Sequence, residues 1–217
     1  MHINDDKKAA YYHVMKTGGS SLYDMFGRPT ELLQRREEPH ERWVVAMGMH
    51  GSYTHLFNQY QDLYLKIKDY YKFIFVRNPW AHAVSMYFHT TATWRFDKEN
   101  HYGRNKRLNT REDYKDFNHY LQYLYRPQSE VTFDDPKFMN DDFYFFEDYE
   151  NEVRRLFKRF DYSEKAFGKD VVHKNKTDKN IFDMEYPKDY RSMYDPRGID
   201  IIADMCKDYI DKFDYTY

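Results

Sequence analysis

The chain has 217 residues, 41% of them apolar and 32% charged, which suits one globular domain with a real hydrophobic core. A formal net charge of −2 excludes the overall basic excess of a general nucleic-acid binder, so any anion must be met by a local cluster. The single cysteine, Cys206, excludes an intrachain disulfide and fits a reducing compartment. No apolar run reaches the length of about 18 residues that a membrane span needs. The polar, acidic start Met1-His2-Ile3-Asn4-Asp5-Asp6 does not read as a signal peptide. With 23 tyrosines and 17 phenylalanines, much of the core is expected to be aromatic, with hydroxyls that need partners.

Tyr11-Tyr12-His13-Val14-Met15 is a short apolar-rich run ahead of a glycine pair. It predicts a buried strand and the first core segment of the chain. A helix is expected from Ser20, a good N-cap, with Leu22, Met25 and Phe26 at helical spacing. Gly27 and Pro29 end it. Trp43-Val44-Val45-Ala46-Met47 predicts a second strand, leading into Gly48 and the loop around His50. Thr54 caps a helix in which Leu56, Tyr60, Leu63, Tyr64 and Ile67 form one stripe. Phe73-Ile74-Phe75-Val76 has no polar interruption, as in a parallel strand covered on both faces.

Asn78 then reads as an N-cap and Pro79 as a first helical residue. Trp80, Val84, Tyr87 and Phe88 give that helix its buried stripe. Residues 91–140 are polar, charged and weakly periodic. One helix is expected there, around Phe117, Tyr120, Leu121 and Leu124. The rest reads as an inserted lid or acceptor-binding region. Phe143-Tyr144-Phe145-Phe146 predicts a strand, and Tyr149, Val153, Leu156, Phe157 and Phe160 a helix after it. Residues 199–213 predict a last helix, with Ile202, Cys206, Tyr209 and Phe213 on one side.

Strands alternating with helices predict an α/β fold: a single domain over residues 1–217 with a mostly parallel central sheet flanked by helices. Ligands bind such sheets at the carboxyl ends of strands. The loops at Lys16 and Arg77 both follow strands, which places them on one edge.

Two loops carry chemistry. In Lys16-Thr17-Gly18-Gly19-Ser20-Ser21, the glycines let backbone amides approach an anion and the hydroxyls add donors. The helix N-terminus adds partial positive charge and Lys16 a full one. The lysine precedes the glycines, so this is not a Walker A loop. The plain alternative is a Gly-Gly turn before a capped helix. Arg77 stands at a strand end, where a guanidinium can grip a phosphate with two parallel bonds. Ser85 follows about two helical turns later. The alternative there is an Arg77–carboxylate pair with Ser85 as a surface residue. No H-E-x-x-H and no cysteine pair is present, so no metal site is expected. The basic run Arg104-Asn105-Lys106-Arg107 reads as a solvated face or as an attractor for an anionic acceptor.

Together the two loops resemble the sulfotransferases that use 3′-phosphoadenosine-5′-phosphosulfate (PAPS). The closest likeness is to the carbohydrate-type branch, with its K-T-G-G-[TS]-S loop and F-V-R-N-P-W-x-R-x-x-S-x-Y segment. Asp142-Phe143-Tyr144-Phe145-Phe146-Glu147-Asp148, His173-Lys174-Asn175-Lys176-Thr177 and the tyrosine-rich end of the chain are similar to later segments of that branch. The resemblance implies the sulfotransferase variant of the P-loop-kinase-like fold. It implies PAPS as donor, adenosine 3′,5′-bisphosphate as product and a hydroxyl-bearing acceptor, a glycan, as partner.

By the same resemblance Lys16, Thr17, Gly18, Gly19, Ser20 and Ser21 hold the 5′-phosphosulfate. Arg77 and Ser85 hold the 3′-phosphate, and Asn175 and Lys176 border the nucleotide. Lys16 also stabilises the leaving phosphate. His82 stands where the branch carries arginine. The base assigned to the acceptor hydroxyl is His50, since a histidine near neutral pKa suits the task. His55, His82, His89 and Glu147 are the alternatives. Competing functions are a nucleotide-kinase-like ATP phosphotransferase, which would need Mg²⁺, and a non-catalytic nucleotide- or glycan-binding module. Golgi members of the group carry a membrane anchor, and none is legible here. The expectation is a soluble, cytoplasmic chain of bacterial or viral origin, with a trimmed Golgi-type catalytic domain as the alternative.

Overall fold

Aromatic and β-branched runs form strands, and spaced apolar stripes form helices, through the residues that the computed structural model describes. These are 1–19, 21–22, 43–45, 61–100, 117–128, 140–162 and 186–217, with backbone alone at 43–45 and 90–100. In chain order the elements are β1 (His2–Asn4), β2 (Ala9–Tyr12), β3 (Trp43–Val45), α1 (Gln61–Ile67), β4 (Tyr71–Val76), α2 (Pro79–Asn100), α3 (Phe117–Tyr123), β5 (Asp142–Phe145), α4 (Tyr149–Arg159), α5 (Pro196–Met205) and α6 (Lys207–Phe213). Short 3₁₀ turns occupy Phe146–Asp148 and Tyr190–Met193.

The strands form one sheet in the order β3-β1-β2-β4-β5. Its site-bearing part is parallel, as the alternating pattern predicts. β2 pairs with β4, Tyr11 opposite Phe73, and β4 pairs with β5, Val76 opposite Phe145. β1 adds an antiparallel extension, pairing with both β2 and β3. This corrects the reading of the first core segment. Asp5 and Asp6 lie in the turn between β1 and β2, while Met1 and Ile3 are already buried ahead of Tyr11.

Length predicts one domain. The contacts divide the chain into two compact units, one of Met1–Arg77 with Glu130–Asn175 and one of Asn78–Ser129 with Lys176–Tyr217. The first holds the sheet and α4. Tyr11 stacks on Phe73 with ring centroids 5.1 Å apart, and Phe75 on Tyr144 at 5.3 Å. The whole stripe expected after β5, namely Tyr149, Val153, Leu156, Phe157 and Phe160, is buried in that core. Phenolic hydroxyls find partners at its edge: Tyr71 meets Tyr144 at 2.9 Å and donates to Asp142 at 3.1 Å. The Arg155 and Arg159 guanidinium groups lie over the Tyr144 and Tyr71 rings, so the charged heads themselves cover aromatic surface.

In the second unit, α2 starts as its sequence dictates. The Asn78 side chain accepts from the backbone N–H of Trp80 and Ala81 at 3.1 and 3.2 Å. Its amide also donates to the Thr216 carbonyl at 2.9 Å. Asn78→Ala removes both functions, and it should destabilise the protein by about 1–2 kcal/mol. Urea unfolding checks this, and a midpoint equal to wild type would refute it. Trp80, Ala81, His82, Ala83, Val84 and Ser85 are all buried, so the first turns of α2 are covered all round rather than on one stripe. The helix runs on to Asn100, so position 91 falls inside it. The predicted last helix is two helices. The Asp195 side chain accepts from the Gly198 N–H at 2.7 Å, and this cap starts α5 early. Backbone at Cys206 leaves helical geometry and separates α5 from α6. No described helix is long and apolar enough to cross a membrane.

Candidate active site

In the first unit, the three parallel strands deliver one site element each at their carboxyl ends. β2 leads into Lys16, β4 into Arg77 and β5 into Phe146. In the loop after β2, Lys16 has φ +62° and Gly18 φ +83°, whereas Thr17 and Gly19 are not in the positive region. Alternation of this kind turns successive backbone N–H groups toward one concavity, an arrangement suited to anions. Helical backbone begins at Gly19, and the N–H groups of Ser21 and Leu22 both reach the Gly18 carbonyl, at 3.0 and 3.2 Å.

The side chains around the loop fix it in place. The Thr17 hydroxyl donates to the Val14 carbonyl at 2.9 Å and is fully buried. Its proton therefore serves the loop, not the anion as the sequence suggested. Arg77 Nη1 donates to the Lys16 carbonyl at 2.9 Å, and its guanidinium lies 4.3 Å from the Phe146 ring centroid. The Tyr149 hydroxyl donates to the Gly18 carbonyl at 2.8 Å and also approaches Ser21. The two glycines are required by close neighbours. A Cβ on Gly18 would meet the Tyr149 ring, and one on Gly19 would meet the His13 imidazole.

Burial lowers the pKa of the Lys16 ammonium, and the nearby Arg77 charge lowers it further. Burial also lifts the Tyr11 hydroxyl, beneath the loop, well above its ordinary range. Tyr149 adds to that effect and Thr17 opposes it.

In the second unit, Ser85 is 3% exposed on α2, which removes the surface-residue alternative. His82 is buried, and its Nδ1 lies 2.9 Å from the Tyr125 hydroxyl. That pairing gives the buried His82 imidazole a polar partner. His89 is half-buried further along α2, and Glu147 is exposed in the 3₁₀ turn of the first unit. Ser20, His50, His55, Asn175 and Lys176 lie outside the described residues, as do Arg104, Lys106 and Arg107.

A family model described as the sulfotransferase family matches residues 1–166. The chain belongs to the sulfotransferase family. No curated protein and no solved structure matches it significantly. Sulfuryl transfer is accordingly its chemistry and a hydroxyl-bearing molecule its acceptor. The matched part of this sulfotransferase contains the Lys16 loop, Arg77, Ser85 and Tyr149, while Asn175 and Lys176 lie beyond it.

Sequence reasoning singled out Lys16 and Arg77 as candidates but missed the bond between them. Nothing in a linear pattern says that an arginine 61 positions away will hold a lysine's carbonyl. Tyr149 and His13 were also missed as loop neighbours. Tyr149 was read as core, which it is, and His13 as strand, although β2 ends at Tyr12 just before it.

Proposed function

We propose that this sulfotransferase takes its sulfuryl group from PAPS and passes it to a carbohydrate hydroxyl. One observation carries the reading: Lys16 and Arg77 come together at the ends of adjacent parallel strands, Arg77 bonded to the Lys16 carbonyl at 2.9 Å. Two like charges in a half-buried place repel each other, and an anion between or beside them offsets that repulsion. The loop fits a phosphate-bearing donor. A side chain at Gly18 or Gly19 would collide with its neighbours, and the backbone turns amides toward one side.

In this reading Lys16, Thr17, Gly18, Gly19, Ser20 and Ser21 hold the 5′-phosphosulfate end. Thr17 contributes its backbone N–H, since its hydroxyl is bonded to Val14. Arg77 and Ser85 hold the 3′-phosphate, and Asn175 and Lys176 border the nucleotide. PAPS, when bound, supplies a sulfuryl group on a phosphate leaving group. Lys16 places its ammonium where negative charge grows as the bond to that phosphate breaks, which is electrostatic stabilisation of the transition state. His50 takes the proton of the acceptor hydroxyl as general base. Residues 91–140 select the acceptor. The runs of basic residues there suit a sugar already bearing sulfate or uronate.

Thermal stabilisation by nucleotide tests the reading. Adenosine 3′,5′-bisphosphate at 100 times its Kd should stabilise the wild-type protein by about 2.7 kcal/mol through mass action. Arg77→Ala should lose most of that shift. Stabilisation by ATP with Mg²⁺ but not by the bisphosphate, and indifferent to Arg77, would overturn the proposal in favour of a phosphotransferase.

A further inference from the structure

Tyr149 is the first residue of α4, more than a hundred residues away from the loop it touches. Its side chain is 4% exposed, its ring fills the place a Gly18 side chain would need, and its hydroxyl donates to the Gly18 carbonyl at 2.8 Å. The same carbonyl already accepts the N–H groups of Ser21 and Leu22. The Tyr149 bond is therefore not needed to keep a buried carbonyl satisfied. What it adds is direction, a tether from a separate element of the core.

In a trans peptide, the C=O of one residue and the N–H of the next point opposite ways. All peptide bonds of the described residues are trans. Drawing the Gly18 carbonyl toward α4 thus turns the Gly19 N–H away from α4. The ring itself cannot drift, because it packs against Phe75 at 5.4 Å and Phe146 at 5.6 Å. Phe146 in turn lies under the Arg77 guanidinium. One aromatic pair therefore backs both Gly18 and Arg77.

We infer that Tyr149 is a positioning residue for sulfuryl transfer: through the Gly18 carbonyl it sets the direction of the loop amides that meet the donor's 5′-phosphate. This rests on the reading of Lys16–Ser21 as the 5′-phosphosulfate cradle. Tyr149 acts through Gly18 and needs no contact with the donor.

Tyr149→Phe keeps the ring and deletes only the hydroxyl. Its test is equilibrium binding of two probes, adenosine 3′,5′-bisphosphate and adenosine 3′-monophosphate, which differ only in the 5′-phosphate. Wild type should prefer the bisphosphate. Tyr149→Phe should weaken bisphosphate binding roughly 5-fold, the scale of one hydrogen bond, and leave the monophosphate unchanged. A melting curve taken alongside should show the variant folded. A general loosening of the fold would weaken both nucleotides alike, and that result overturns the positioning role. So does a variant equal to wild type for both. A wild-type protein that fails to distinguish the two nucleotides overturns instead the cradle reading beneath it.

Discussion

Lys16→Ala should lower turnover by about 10²- to 10³-fold, the usual cost of removing a group that faces developing charge. Affinity for adenosine 3′,5′-bisphosphate should fall much less, because the loop amides and Arg77 remain. The backbone is not the reason for the loss. Lys16 sits at φ +62°, a strained region for alanine and lysine alike, so the substitution changes the ammonium and little else. Charge alone does not restore function either. Lys16→Arg carries a planar guanidinium that cannot occupy the place of a compact ammonium, and it should remain far below wild type.

The same residue predicts two pH dependences. Burial first, and the Arg77 charge second, hold the Lys16 pKa below the ordinary lysine value. Free enzyme should therefore lose donor kcat/KM as pH rises through that lowered pKa, on an alkaline limb that Lys16→Arg lacks. Stability moves the opposite way. Between the lowered folded pKa and the ordinary lysine value, the unfolded chain binds more protons than the folded one. The contribution from Lys16 is thus complete above the ordinary value and is lost as pH falls through the folded one. Urea unfolding across that window should show a rise with pH that is smaller in Lys16→Ala. Identical slopes in the two proteins would refute the assignment.

Much of this candidate site was legible because strong local signals flank the residues proposed for it. Phe73-Ile74-Phe75-Val76 could hardly be anything but a covered strand, and Asn78-Pro79 hardly anything but a helix start. Arg77, caught between them, had to stand at a strand's carboxyl end. The stripe from Tyr149 to Phe160 was legible for the same reason, since period and burial agree there. The failures come from hydrogen bonding and backbone geometry, distant or close by, that periodicity does not register. β1 reads as polar, yet it is buried because β2 and β3 pair with it on both sides. Thr17 reads as a phosphate donor, yet its hydroxyl finds the Val14 carbonyl first. Cys206 fits a continuous apolar stripe, and periodicity carries no sign of the break there between α5 and α6. Why Lys16 adopts a positive φ has no signal in its own sequence neighbours. The bond from Arg77 to its carbonyl supplies one.

Gly18→Ala should cost stability and donor binding together. At φ +83° any side chain costs about 1–2 kcal/mol, and a methyl pressed into a packed neighbour adds about 1–3 kcal/mol. The neighbour is the Tyr149 ring. It is held by its bond to the Gly18 carbonyl and by Phe75 and Phe146, so it cannot retreat cheaply. A total of about 2–5 kcal/mol is a large share of the 5–15 kcal/mol that holds a typical domain together. Gly19→Ala is the informative comparison. Its φ is not positive, so only the collision with His13 remains, and its cost reports that packing alone.

A double-mutant cycle separates the two terms at Gly18. In a Tyr149→Ala background the collision is gone, and Gly18→Ala should then cost only the backbone part, about 1–2 kcal/mol. The difference between the two backgrounds measures how firmly α4 presses on the loop, and it uses no nucleotide at all. Equal costs in both would mean that Tyr149 does not hold Gly18 in solution. A cost near zero in both would mean that residue 18 is free to leave the left-handed region. The loop would then be a flexible turn rather than a preformed cradle.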